Sequence, residues 1–347
     1  MFDVLTIGTA TRDVFLTSPY FKVLRDPEHL KKIGFTEGEA ECFAFGAKID
    51  VGEPVFTTGG GATNAAVTFA RQGLKTAALI SLGHDESANA VSIDLQSEKV
   101  TPLISYSKKH ATAYSTLLLS RTGERTVLVA RGAADDLRIS PKILAGAKAS
   151  WVYIAPGAIP FAVISKLIHY FASTGAHIAI NPSGYYLKFG IRRLQPLLKR
   201  AHVIILNRAE ASQLTGANYE NERAIFTRFE SLFGGLTVMT DGAKGVTVSN
   251  GKIIYRAGIF KEKALIDRTG AGDAFGSGFV AGLLKQSPNV KTGELYSDHA
   301  IEEAIRLASA NATSVVEYIG AKTGILTAAK LSHDPRFRNL VIRKTLA

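Results

Sequence analysis

The stretch DRTGAGDAFGSGF, residues 267–279, decides how the rest of the chain is read. Gly270, Ala271 and Gly272 make a turn whose backbone can come close to an anion, because two of its three residues carry no side chain. Asp273 follows at once. Beyond it, Ala274, Phe275, Gly278, Phe279, Ala281, Gly282, Leu283 and Leu284 form a small-residue and apolar pattern that predicts a close-packed helix. The N–H groups at such a helix start make a site for phosphate. A carboxylate there can accept a proton from a hydroxyl while the same N–H groups hold the charge that develops. An anion cradle with a base beside it is what phosphoryl transfer to an alcohol needs. The plainer alternative is a glycine-rich turn that starts a helix, with Asp273 as a first-turn acid favoured by the dipole.

Composition narrows the setting. The chain has 347 residues, 46% of them hydrophobic, enough for a sizeable core. Its one cysteine, Cys42, excludes an intramolecular disulfide and points to a reducing cytoplasm. Beside Phe43, Cys42 reads as a buried small hydrophobe rather than a nucleophile. The opening MFDVLTIG reads as a strand rather than a signal peptide, and no stretch approaches the apolar length of a membrane span. The formal net charge of +11 suits acidic ligands such as nucleotides. The basic residues are spread along the chain, in short pairs such as Lys31-Lys32 and Arg192-Arg193, without a helix-turn-helix, zinc or RNA-binding aromatic signature. Neither a nucleic-acid nor a membrane partner is expected. His84, His110, His169, His177, His202 and His299 show no ligand spacing.

The order of apolar runs predicts the architecture. Residues 2–7 read as a strand ending at Gly8, with Arg12-Asp13 just beyond it. Residues 14–57 leave the pattern, with Pro19, Pro27, Pro54 and short β-like pieces at 43–45 and 48–51. Gly59-Gly60-Gly61 opens a helix, a strand covers 75–82, and 87–97 is helical. Residues 114–120 and 125–130 alternate around Thr122-Gly123-Glu124, a hairpin signal. From Trp151 onward strands and helices alternate, which argues for a mostly parallel sheet covered on both faces. The expected fold class is α/β: a doubly wound core from 1–13, 58–99 and 132–347, and a small β lid from 14–57 and 100–131.

With these motifs in place, the chain resembles the ribokinase-like carbohydrate kinases of the PfkB type over nearly its whole length. The resemblance rests on GGGATNAAVTFARQG followed by SLG, on DRTGAGDAFGSGF, on Asn207-Arg208-Ala209-Glu210 and on Thr240-Asp241-Gly242-Ala243-Lys244-Gly245, in the family's order. Arg268 departs from it, standing where a small residue, Pro or Val is usual.

The resemblance implies ATP and Mg²⁺ as cofactors and Asp273 as general base, with Gly270, Ala271 and Gly272 as anion hole. It implies that Asn207 and Glu210 organise Mg²⁺ through its waters; the alternative is a capping box. Thr240, Gly242 and Gly245 would line the ATP phosphates and ribose, with Lys244 as an added charge or a solvated side chain. Asn311 is similar in position to a residue near the adenine. Asp13, Gly60, Gly61 and Asn64 are the candidate acceptor contacts, the first and last as hydroxyl ligands, and Arg131 is either an acid-binding or a surface residue. Asp267 and Thr269 resemble a monovalent-cation site, with K⁺ as the ion, or ordinary turn bonding. The expected substrate is a small sugar, with a nucleoside as the rival and Tyr114, Phe15 and Phe45 available for stacking. A non-catalytic nucleotide-binding regulatory protein is the alternative from another class. Lid strands in relatives mediate dimers, so a homodimer is expected there.

Overall fold

The computed structural model describes residues 1–35, 38–119, 125–287 and 296–347. In chain order its strands are β1 (Phe2–Gly8), β2 (Thr11–Thr17), β3 (Lys22–Arg25), β4 (Glu39–Cys42), β5 (Val55–Gly59), β6 (Thr76–Leu82), β7 (Thr101–Tyr106) and β8 (Ala113–Leu119). They continue as β9 (Arg125–Ala130), β10 (Ala149–Ala155), β11 (His177–Ile180), β12 (Val203–Asn207), β13 (Leu236–Thr240), β14 (Val246–Ser249), β15 (Ile253–Ala257) and β16 (Ile342–Leu346). Ten form one sheet in the order β16-β15-β14-β13-β12-β11-β10-β1-β6-β7. From β7 to β13 it is parallel, and β13 to β16 add an antiparallel edge.

Alternation along the central strands shows why the sheet is covered twice. Leu5 and Ile7, Val152 and Ile154, Ile178 and Ile180, and Ile204 and Leu206 are buried in one core. Their neighbours Val4, Trp151, Tyr153, Ala179, Val203 and Ile205 are buried in another. Strands apolar on both faces need a layer on each. The helices Phe161–Ser173, Gly190–Leu198, Arg208–Thr215 and Glu222–Leu232 supply the first layer. The helices Gly61–Arg71, Ala271–Gln286 and Asp298–Val315 supply the second. The doubly wound, mostly parallel fold expected from the strand–helix rhythm is the one observed.

A separate four-stranded sheet, β5-β2-β8-β9, comes from the stretches expected to form a lid. β2 and β8 are parallel, and the other two pairs are antiparallel. Three boundaries differ from expectation. Residues 101–106, placed with the lid, form β7, which pairs with β6 at the edge of the large sheet. Thr11–Asp13, placed with the core, lie within β2 of the small sheet, and Thr58 and Gly59, also placed with the core, end its strand β5. All three differences arise from long-range pairing, which local alternation does not encode. The turn at Thr122-Gly123-Glu124 lies outside the described residues, but its flanks pair antiparallel, Leu119 opposite Arg125.

The excursion before β5 holds the β3–β4 hairpin and a short helix, Pro27–Lys32. Residues 43–45 and 48–51 are not strands. Cys42 is exposed rather than buried. This unit has too little apolar cover to enclose it, Leu30 and Ala40 being its buried apolar residues. Among the described residues, no helix is long and apolar enough to cross a membrane.

Candidate active site

The predicted site residues gather where the parallel strands end. After β1, Thr9 Oγ1 accepts the Gly61 N–H at 3.1 Å, and the Thr9 carbonyl accepts that of Ala62 at 3.2 Å. These bonds seat the start of the helix Gly61–Arg71 against the end of β1. Gly60 has φ +97°, and a Cβ there would lie 2.5 Å from the Thr9 carbonyl oxygen, so a side chain is excluded twice over. In the first turn of that helix, Asn64 Nδ2 donates to Asp273 Oδ2 at 2.8 Å, across 209 residues of sequence. One hydrogen bond thus joins the two long motifs.

Asp273 opens the helix Ala271–Gln286 and is half-buried. Burial pushes its carboxyl above the ordinary aspartate range, and the Asn64 amide opposes that shift. A carboxylate must be ionised to accept a proton, so an enzyme that uses Asp273 as its base is expected to lose activity as pH falls through a midpoint above that of an ordinary aspartate. In Asn64→Ala the opposing hydrogen bond is gone, so the midpoint moves higher still. The acidic limb of the kcat profile, measured on both proteins, checks the sign; a lower midpoint in the variant contradicts it.

The turn before Asp273 has the shape of an anion cradle. Gly270 is left-handed, at φ +80°, with Ala321 packed where a Cβ would stand. The Ala271 N–H makes a long 3.4 Å contact to the Arg268 carbonyl, and the first helical bond runs from the Ala274 N–H to the Gly270 carbonyl at 2.8 Å. The first-turn amides between these bonds point out of the helix end. Gly272 is exposed, and nothing stands within 4 Å of its missing Cβ. The space in front of the turn is open.

Asp13 is buried beside this region. Burial raises its carboxyl above the usual range; the Thr11 and Ser115 hydroxyls and the charges of Lys322 and Arg12 oppose the rise. Among the described residues its Oδ1 has no hydrogen-bond partner, and neither does Asn64 Oδ1. Gly59 lets the lid strand pass this carboxylate, since a Cβ there would collide with Asp13 Oδ2. Two buried acceptor atoms without donors are costly unless a ligand supplies them.

On the other side of the turn lies a cavity of about 550 Å³. Thr240, Gly242 and Gly245 line one wall, Ala271, Gly272 and Phe275 another, and Ile259, Leu265, Ala312 and Val316 make apolar surface. Its size and mixed lining suit a nucleotide. Asn207 stands directly beside Thr240 in the β12–β13 register. Asn207 Oδ1 accepts the Glu210 N–H at 2.8 Å, and Glu210 Oε2 accepts the Asn207 N–H at 2.9 Å. The capping box is therefore formed, and burial raises the Glu210 carboxyl. Lys244 is mostly exposed, lies 3.8 Å from Asp241, and lines a different cavity.

Two other expectations change. Asn311 is fully buried, and its amide is committed: Nδ2 donates to the Ala274 carbonyl and Thr68 Oγ1, and Oδ1 accepts the Leu326 N–H. It joins three segments of the fold and does not line the nucleotide-sized cavity. Asp267 is also fully buried, with Oδ1 accepting from the Thr269 N–H and hydroxyl and Oδ2 from the Gly320 N–H. The Gly320 group that meets it is the amide, not a carbonyl.

Sequence reasoning missed two neighbours. Tyr153 is buried near Asp273, whose charge adds to the burial that raises the phenol, and its hydroxyl has no partner among the described residues. Lys322 is buried with its ammonium on Thr58 Oγ1 at 2.6 Å and Asp94 Oδ2 at 2.8 Å. It ties lid strand β5 to the helix Glu86–Ser97. Neither residue sits in a motif; an apolar strand and a surface-like Gly-Ala-Lys-Thr-Gly run conceal them.

The profile of the pfkB family carbohydrate kinases matches residues 30–328 of this chain. The chain belongs to that family. This pfkB-family member is accordingly a phosphotransferase with an alcohol as acceptor. It is 28% identical over 279 residues to the ribokinase of Haemophilus influenzae, covering 78% of this chain and 84% of that protein. It is 27% identical over 278 residues to the cytidine kinase of Thermococcus kodakarensis, covering 78% and 91%. The structure of Arabidopsis thaliana ribokinase complexed with ribose and ATP superposes with a TM-score of 0.72 at 18% identity, covering 97% of this chain and 99% of that one.

Proposed function

We propose that this pfkB-family kinase transfers the γ-phosphate of ATP to a hydroxyl of a small sugar or sugar-like molecule. The single observation that carries the acceptor assignment is the pair of orphaned acceptor atoms, Asp13 Oδ1 and Asn64 Oδ1, either side of the Gly59–Gly61 run and joined to the base by the Asn64–Asp273 bond. Polyol hydroxyls donate to both. As the acceptor oxygen bonds to the γ-phosphorus, the bond to the bridging oxygen breaks and its electron pair leaves with ADP. The hydroxyl proton passes to Asp273, where Oδ1 remains while Asn64 holds Oδ2. The amides of the Gly270–Gly272 turn hold the charge on the transferring group. Glu210, with Asn207 beside the cavity residue Thr240, would orient Mg²⁺ through water, a role compatible with the capping box. When bound, Mg²⁺ supplies charge neutralisation on the phosphates.

The rival acceptor is a nucleoside, because a cytidine kinase is among the relatives. The aromatic residues argue for the sugar. Phe15 is buried, Phe45 is fully exposed on the excursion, and Tyr114 sits opposite Arg12, so its side chain leaves the face that carries Asp13 and Ser115. Asp267 and Thr269 remain the place for a monovalent ion such as K⁺, though Asp267 already holds three donors. The lid supports a homodimer through β9, an edge strand with Val127, Leu128 and Val129 exposed. A reducing cytoplasm suits the exposed Cys42.

ADP release with Mg-ATP across a panel of sugars and nucleosides tests the proposal. Acceptor-dependent release is expected with a sugar. Release with nucleosides alone overturns the sugar assignment, and none with any acceptor favours a non-catalytic nucleotide-binding protein.

A further inference from the structure

We propose that Arg268 is a donor-phosphate ligand: its guanidinium, emerging from the same turn as the anion-hole amides, holds the polyphosphate of the bound nucleotide. The inference rests on the kinase reading and adds a residue that family resemblance does not supply.

Position and charge carry it. Arg268 lines the 550 Å³ cavity together with Ala271 and Gly272. Among the described residues lining that cavity, the charged side chains are Arg268 and Glu262, so Arg268 is its cation. Other basic groups line the adjoining cavity: Arg208 is paired with Asp241, Arg256 with Glu222, Lys244 lies 3.8 Å from Asp241, and Arg343 is the fourth. Lys322 is buried on Thr58 and Asp94. A nucleotide polyphosphate entering a site with one acid and one cation meets its countercharge at Arg268.

The backbone presents this side chain firmly. Asp267 on one side is fully buried and anchored by Thr269 and Gly320. The Arg268 carbonyl itself receives the Ala271 N–H, which closes the turn. Asp267 is buried while Arg268 beside it is exposed and lines the cavity. Arg268 already has an interaction within the protein. Binding therefore exchanges one partner for a planar, bidentate, charge-assisted contact with phosphate oxygens, the geometry a guanidinium fits best.

Titration calorimetry with ADP and with adenosine, on wild type, Arg268→Gln, Arg268→Lys and Arg268→Ala, tests the assignment without an acceptor. The expected result is ADP affinity lower by about 10- to 100-fold in the Gln and Ala variants. The Lys variant falls in between, adenosine affinity is unchanged, and the ADP affinity of wild type depends more steeply on salt than that of the Gln variant. Thermal melting confirms that each variant is folded; the exposed position makes loss of fold unexpected, and Arg268→Lys preserves charge and bulk. ADP affinity within about twofold of wild type in Arg268→Gln overturns the proposal, as does an equal fall for adenosine, which marks a role in shaping the cavity only. Absence of ADP binding by wild type is a different failure: it removes the kinase reading, and this one with it.

Discussion

Asp273→Asn is expected to lower kcat by about a thousandfold, the middle of the range for a positioned general base, while ADP affinity stays within about twofold. The substitution is nearly isosteric, and the hydrogen bond to Asn64 survives a flip of the new amide. Stability should move the other way. The folded-state pKa of Asp273 is raised, so the ionised group costs stability above that pKa, and the cost disappears as pH falls below the unfolded value. At neutral pH a neutral amide removes the cost. The variant should therefore melt at or above the wild-type temperature, as happens when a functional site is maintained against its own packing. Single-turnover kinetics and thermal melting, on the same preparation, check both halves. Turnover within tenfold of wild type eliminates Asp273 as the base. A large fall in melting temperature contradicts the account of its burial.

Asp13→Asn should act on the acceptor rather than the donor. The lone Oδ1 is a charged acceptor in a buried setting, and replacing it by a neutral amide weakens a hydroxyl contact by roughly 1–1.5 kcal/mol, the difference between charged and neutral hydrogen bonds. The expected outcome is a fall of about 5- to 13-fold in kcat/KM for the sugar, with KM for ATP unchanged. Burial raises the Asp13 carboxyl as it does that of Asp273, so the same sign applies to stability: the variant gains at neutral pH and is level with wild type in acid. Initial-rate kinetics with each substrate varied in turn give the test. An equal loss in both specificity constants places Asp13 in general scaffolding.

Much of this molecule is legible in its sequence. The central strands are apolar on both faces, and that is a property of composition over a few residues. Both glycine turns demand conformations or close approaches that other residues resist, so they too are written locally. The errors share one origin. Residues 101–106 read equally well as lid or as sheet edge, since their partner β6 lies across a helix. The final strand β16 was missed because Ile342–Leu346 is mostly polar and exposed, and its partner β15 lies about ninety residues earlier in the chain. Asn311 reads as a ligand contact because an amide on a helix face is silent about its neighbours; packing commits its Nδ2 and Oδ1 to Ala274, Thr68 and Leu326. Asn207 and Glu210 offered two readings from one spacing, and the geometry realises the local one without closing the other.

Asp273 and the Gly270–Gly272 turn belong to a helix packed on the large sheet, whereas Asp13, Thr11 and Ser115 ride on the small one. A change confined to β2 or β8 therefore reaches Asp13 without passing through the helix that carries Asp273. A change at Asn64 touches both sides at once, because its amide is bonded to Asp273 across the cleft.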